Sequence, residues 1–168
     1  MQPLSSKILD MNLISSEPSA GTEELSDVHH GAWYQLLRVY GRVSERVEKQ
    51  LAARDHVPGS WYDVLMTLET APGGRLRMSE LADRVILSRS GLTRLVDRLE
   101  REGLLRREGC PGDRRGSYAV ITAAGLQARR AAWPTLSRAM AELFAAHISD
   151  EEALILERAL KRVADAAA

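Results

Sequence analysis

The amino-acid sequence predicts a mainly α-helical protein with one small β-hairpin in its second half. Three observations lead there. Apolar residues recur every three or four positions over several long stretches, the pattern of helices that bury one side. Helix-capping residues, Ser60, Ser79, Ser88, Thr122 and Ser149, stand directly before such stretches. Two short strand-like runs, "LLRRE" and "SYAVI", flank a Cys-Pro-Gly turn.

Taken in order, residues 1–26 mix Ser, Pro, Gly and acidic residues with few apolar ones and read as a loosely ordered arm, within which "ILDMNLI" could form a short helix. From Asp27 to about Arg54, Trp33, Leu36, Leu37, Tyr40, Val43, Val47 and Leu51 line one side of a long helix, which Pro58 and Gly59 end. Ser60, with Asp63 three residues on, is expected to cap a second helix carrying Trp61, Val64, Leu65 and Leu68. "APGG" closes it. Ser79 then caps a short helix through Val85, and Ser88 a longer one through about Glu102, ended by Gly103. Thr122 opens a long helix that includes Pro134 and carries Leu126, Trp133, Leu136, Met140, Leu143 and Phe144. Ser149 and Glu152 form a capping box for the last helix, whose apolar side holds Leu154, Ile155, Ala159, Leu160 and Val163.

The Ser79 and Ser88 helices are separated by a three-residue corner, and Leu81, Val85, Leu87, Leu92 and Leu95 fall where a helix-turn-helix buries its side chains. Ala82 is small where the helices approach, and Ile86 occupies the turn position where glycine is usual. Charge supports a functional reading of this region. The whole chain balances 23 Lys and Arg against 23 Asp and Glu, but residues 75–115 hold 11 basic against 7 acidic side chains, and every basic one is arginine. Arginine's planar fork matches phosphates and guanine edges.

On the Ser88 helix, Arg89, Ser90, Thr93, Arg94 and Asp97 share one face, with Arg98 and Arg101 beside it. That composition suits an element lying in a DNA major groove, where arginines reach base edges or phosphates and small hydroxyl residues admit the backbone. Arg114 and Arg115 at the hairpin tip would then enter the adjacent minor groove, with Asp113 orienting one of them.

"ELADRVILSRSGLTRLVDRLEREGLLRRE" followed by "GDRRGSYAVITAAG" resembles the winged helix-turn-helix of the MarR family of bacterial transcriptional regulators. The family's wing signature is met by Asp113, Arg115, Ile121, Thr122 and Gly125, with Ile121 in place of the common leucine. The resemblance spans about Trp33 to Val163. It implies a winged helix-turn-helix over residues 58–121, a helical dimerisation region over 27–57 and 122–168, and a homodimer binding a palindromic double-stranded operator. Arg115 would be the minor-groove arginine, oriented by Asp113, and Ser88 to Glu102 the recognition helix. It implies further that a small aromatic, often anionic ligand releases DNA, so that the chain acts as a repressor; the candidate lining is Trp33, Tyr34, Arg38, Trp61 and Tyr62.

Other constellations carry less. His29, His30, His56 and His147 have no acidic or thiol partner at ligand spacing, so no metal or other cofactor is expected. Cys110, the single cysteine, excludes an internal disulfide, fits a reducing cytoplasm, and would be a redox sensor only if exposed in its arginine-rich turn. No nucleophile, base and orienting group stand together, so an enzyme is not expected. No apolar run is long enough to span a membrane, and the N-terminus lacks signal-peptide character. The alternative is a winged-helix protein-interaction module without DNA binding, against which the eleven arginines argue.

Overall fold

The computed structural model describes residues 25–85, 89–110 and 112–167, with the backbone alone described for Arg89, Arg114 and Arg115. The chain divides into two compact units, one up to Leu37 and one from Arg38 onward. The described part of the first unit is Leu25 to Leu37, which enters helix α1, Asp27–Ala52. There Ser26 Oγ accepts the His29 N–H at 3.4 Å, and Trp33, Tyr34 and Leu37 are exposed.

The second unit continues α1 and adds α2, Gly59–Thr70; β1, Arg75–Arg77; α3, Met78–Arg84; α4, Arg89–Arg101; β2, Leu105–Cys110; β3, Asp113–Ile121; α5, Ala123–Leu143; and α6, Asp150–Ala166. The three strands form one antiparallel sheet in the order β1-β3-β2. The hairpin of β2 and β3 matches the sequence expectation. Strand β1 does not: the sequence reading passes from "APGG" straight to the helix pair, and only pairing with β3, Leu76 opposite Ala119, makes these three residues a strand.

One face of the sheet closes the core. Leu76, Leu105 and Ala119 meet Val64, Leu65 and Leu68 of α2, Leu81 of α3 and Leu92, Val96 and Leu99 of α4, all at most 4% exposed. Each such leucine contributes about 1.5–3 kcal/mol through removal from water. Leu81, Val85, Leu92 and Leu95 are buried as the helix-turn-helix spacing requires, whereas Ile86, Leu87 and the Ser88 cap lie outside the described residues.

Helix starts divide into two kinds. Thr122 and Ser149 cap as expected: Thr122 Oγ1 accepts the Gly125 N–H at 3.1 Å, and Ser149 exchanges hydrogen bonds with Glu152 in a capping box. Ser60 and Ser79 do not cap. Each lies already inside the first turn, because α2 begins at Gly59 and α3 at Met78. A carboxylate meets the leading N–H groups instead. Glu48 of α1 accepts the Gly59 N–H at 3.0 Å, and Glu80 accepts the Arg77 N–H at 3.0 Å, each placing negative charge at a helix N-terminus.

Helix α4 ends at Arg101, and Gly103 turns the chain with φ of +69°, a conformation that favours glycine. Thr122 Oγ1 donates to the Gly103 carbonyl at 2.7 Å, and a Cβ on Gly125 would collide with the Leu104 carbonyl oxygen. The start of α5 is thus pressed onto the backbone that leads into β2. Helix α5 runs through Pro134 to Leu143; Phe144, expected on the helix, follows its last residue. Tyr62, Leu51 and Ala132 form a second buried cluster joining α1, α2 and α5. Helix α6 buries none of its residues, and Leu154, Ile155 and Val163 are each more than half exposed.

Candidate nucleic-acid interface

Helix α4 is two-sided. Leu92, Leu95, Val96 and Leu99 face the core, and Ser90, Thr93, Arg94, Asp97, Arg98 and Arg101 are exposed. The predicted polar face is therefore brought together on one surface in its described members, Ser90, Thr93, Arg94 and Asp97, with Arg98 exposed beside it. Ser88 lies outside the described residues, and of Arg89 only the helical backbone is described. Among the described residues, neither Arg94 nor Arg98 is held in an ion pair, so both guanidinium groups are available at the surface.

Asp97 differs. Read as part of the exposed face, it is bound by an arginine that the sequence reading did not single out. Arg107 on β2 donates from Nη2 to Asp97 Oδ1 at 2.6 Å and from Nη1 to Glu100 Oε2 at 2.6 Å, while its backbone N–H reaches Glu100 Oε1 at 2.9 Å. Partial burial disfavours the charged guanidinium, but the two carboxylates outweigh it and hold the Arg107 pKa above the ordinary value. A period of two along β2 carries the signal for this contact: Leu105 is buried, so Arg107 points to the same side, toward α4.

The wing is braced on its other face. Arg75 and Arg77 of β1 place their guanidinium carbons 5.0 Å and 5.7 Å from the ring centroid of Tyr118 on β3. Arg77 also pairs with Asp113 at 3.5 Å, and a hydrogen bond to Tyr118 is the largest cause raising its pKa. Asp113 accepts the Gly116 N–H at 3.0 Å, a turn within the wing. The expected pairing of Asp113 with Arg115 falls on a side chain outside the description, as do the side-chain positions of Arg114 and Arg115 at the tip.

Cys110 is 7% exposed, beside a bulge between Gly109 and Cys110 where the pairing of β2 with β3 shifts. The thiol is buried at the turn end of the hairpin, where Cys110 pairs with Asp113, so the exposure that a sensing cysteine would need, expected from the arginine-rich turn, is absent. Among the described residues no cluster of three His, Cys, Asp or Glu could hold a metal ion, and no helix is long and apolar enough to cross a membrane.

The five residues read as a ligand lining have different surroundings. Trp33, Tyr34 and Arg38 are exposed on α1, and Trp61 is half-buried against the main core. Tyr62 is 4% exposed, stacked on Trp133 at 6.4 Å with Arg129 5.6 Å from its ring, and burial pushes its phenol pKa up. Arg129 in turn pairs with Glu69 at 2.9 Å, so Tyr62 belongs to the packed junction of α2 and α5. A groove of about 350 Å³ beside α1 and α2 is lined instead by Tyr40, Val43, Val47, Glu48, Gly59 and Asp63 among others.

Comparison with known proteins agrees with this geometry. The family model described as MarR family matches residues 57–116. The HTH-type transcriptional regulator MhqR of Bacillus subtilis is 31% identical over 128 residues, covering 76% of this chain and 86% of that protein. Among solved structures, AbsC, a MarR family transcriptional regulator from Streptomyces coelicolor, superposes with a TM-score of 0.76 at 33% identity, covering 86% of this chain and 97% of that one. Sco3205, a MarR family regulator from the same organism solved in complex with DNA, gives a TM-score of 0.79 at 28% identity, covering 88% of this chain and 92% of that one. The relatives are transcriptional regulators and not enzymes, and on the family match, the identity to MhqR and the superposition on AbsC this chain belongs to the MarR family of winged-helix transcriptional regulators.

Proposed function

We propose that this regulator is a homodimer that reads a palindromic DNA site by laying α4 in the major groove and the wing tip in the minor groove. The observation that carries the reading is the face of α4: Ser90, Thr93, Arg94 and Arg98 are exposed together on a helix whose opposite side is wholly buried. Small hydroxyl residues near its start let the helix approach, Arg94 reaches base edges, and Arg98 reaches phosphate. Ser88 and Arg89, the two residues before Ser90 in the sequence, are taken as further contacts, while Arg114 and Arg115 supply the minor-groove cations, with Asp113 beside them at the wing turn. The DNA-bound state of Sco3205 supports the choice of partner.

Dimerisation is supported by apolar side chains left uncovered in a single chain, Trp133 and Met140 along α5, Phe144 just past its end, and Leu154, Ile155 and Val163 along α6. On this reading the helices of residues 27–57 and 122–168 form the dimerisation region and residues 58–121 the DNA-binding domain. Repression relieved by a small aromatic ligand is the remaining part of the proposal. Trp33, Tyr34 and Arg38 are open to such a ligand, whereas Tyr62 is already engaged by Trp133 and Arg129. Release requires the ligand to favour the conformation that does not bind DNA.

The test is selection of duplexes from a random-sequence library with the full chain, followed by binding measurements on the enriched site. A palindrome should emerge, and Arg94→Ala should cost about 1–3 kcal/mol per subunit with relaxed preference at one base per half-site. Arg115→Ala should weaken binding chiefly through A·T preference at the flanks. Unchanged affinity of both variants at physiological salt rejects this placement of helix and wing. Salicylate and related aromatic acids, titrated by tryptophan fluorescence, test the ligand: neither quenching nor release of DNA across a broad panel removes that part.

A further inference from the structure

We propose that Arg107 is a specificity-determining positioning residue, which locks the reading helix and the wing into one body so that their contacts with DNA are made in fixed register. The inference rests on the reading of α4 and the wing given above. Its ground is one side chain bridging two elements. From β2, Arg107 holds Asp97 and Glu100, two carboxylates nearly one helical turn apart on α4, through two side-chain hydrogen bonds of 2.6 Å and a backbone bond of 2.9 Å.

Other ion pairs near the wing do different work. Arg106 and Glu108 pair at 2.6 Å within one strand and so fix nothing between elements, and Arg77 ties β1 to Asp113 on the far face of the sheet. The Arg107 side chain is 28% exposed against 57% for Arg106, so water and salt screen its bonds less. Its geometry also needs the guanidinium fork. Two nitrogens of one planar group serve two carboxylates, which the single ammonium of a lysine cannot reproduce.

The clamp carries a second consequence for the same surface. Asp97 lies on α4 between Arg94 and Arg98, and its carboxylate is half exposed. Released from Arg107, it would present an unpaired negative charge beside the two cations that approach phosphate. Loss of Arg107 therefore has two separable effects: a change of charge, felt by any DNA, and a loss of register between helix and wing, felt only where both must meet their bases together.

The experiment separates them. Affinities of the full chain for the library-selected duplex and for a scrambled duplex of the same composition give a specificity ratio. Variants are compared below their melting temperatures. Arg107→Gln should lower that ratio about tenfold or more, and its defect should be non-additive with Arg115→Ala. In the charge-compensated variant Arg107→Gln, Asp97→Asn, Glu100→Gln, affinity for scrambled DNA should recover while the ratio stays low. Arg107→Lys, which keeps the charge and loses the fork, should also lower the ratio; it decides the matter if the glutamine variant does not fold. Full recovery of the ratio in the compensated variant, or a ratio within about twofold of wild type in Arg107→Gln and Arg107→Lys, overturns the positioning role. If that happens while Arg94→Ala and Arg115→Ala still impair binding, the DNA reading stands and only the clamp fails. If the unaltered chain selects no sequence, both fall.

Discussion

Leu99 on α4 and Leu154 on α6 are the same residue on helices of 13 and 17 residues, yet the first is 0% exposed and the second 56%. Around Leu99 the helices α2 to α4 and the sheet have used up their apolar surface on one another. Around Leu154 that surface stays open, although α6 carries a complete capping box and an apolar stripe of its own. Local signals thus make both helices, and packing within the chain completes only one of them. On the reading proposed here, a second copy completes the other.

The strongest challenge to that contrast is to remove α6. Deleting residues 149–168 should remove much of the apolar surface that a second copy would cover and yield aggregate or unfolded chain; a well-folded, soluble monomer in sedimentation would break the argument. Next come single leucines. Leu65→Ala in the core should cost about 2–5 kcal/mol. That loss should not depend on protein concentration, whereas the loss from Leu160→Ala on α6 should grow on dilution, as expected for a subunit contact. Thermal melts of both variants over a range of concentrations check this. If Leu160→Ala melts identically at all concentrations, α6 is not at a subunit interface.

Thr122→Ala sharpens the border between the two regions. It removes the cap of α5 and the hydroxyl that meets the Gly103 carbonyl, and should cost about 1 kcal/mol by chemical denaturation. The smallest effect is one of pH. Hydrogen bonds from the backbone and hydroxyl of Ser149 hold the Glu152 carboxyl below its ordinary pKa. A group depressed in the folded state stabilises it above the unfolded pKa, and this contribution is lost as pH falls through the folded value. The amide of Ser149 should therefore gain exchange in mildly acidic solution in the native chain, and Glu152→Gln should flatten that dependence. An equally steep profile in the glutamine variant would assign it to other carboxylates.

What the sequence made legible follows the range of the interactions involved. The capping box of α6 joins residues three apart, and the buried stripe of α4 repeats within one helix, so both could be read directly. The starts of α2 and α3 were misplaced because carboxylates, one of them Glu48 eleven residues away on another helix, took the capping role. Strand β1 exists only through its pairing with β3. At the site, the exposed arginines of α4 are legible from periodicity, whereas the clamp on Asp97 joins that helix to a strand residue ten positions on and exists only through tertiary packing. Tyr62 reads as an aromatic face on α2; its occupation by Trp133, 71 residues on, is a matter of tertiary packing.

Gly125 gives this organisation a mechanical side. Because α5 begins in contact with the Leu104 backbone, the direction in which that helix leaves the winged domain is set where a side chain is missing. The helix has 21 residues and so extends about 30 Å, which makes it a lever with its fulcrum at Gly125. An alanine there must push the fulcrum outward, and a tilt of about 10° would carry the far end by about 5 Å. In the homodimer proposed above, two reading heads must stand at a separation dictated by the DNA helical repeat, which leaves little tolerance for such an error. On that reading, the absence of one methyl group at the root of α5 becomes a gauge for the spacing of the proposed dimer.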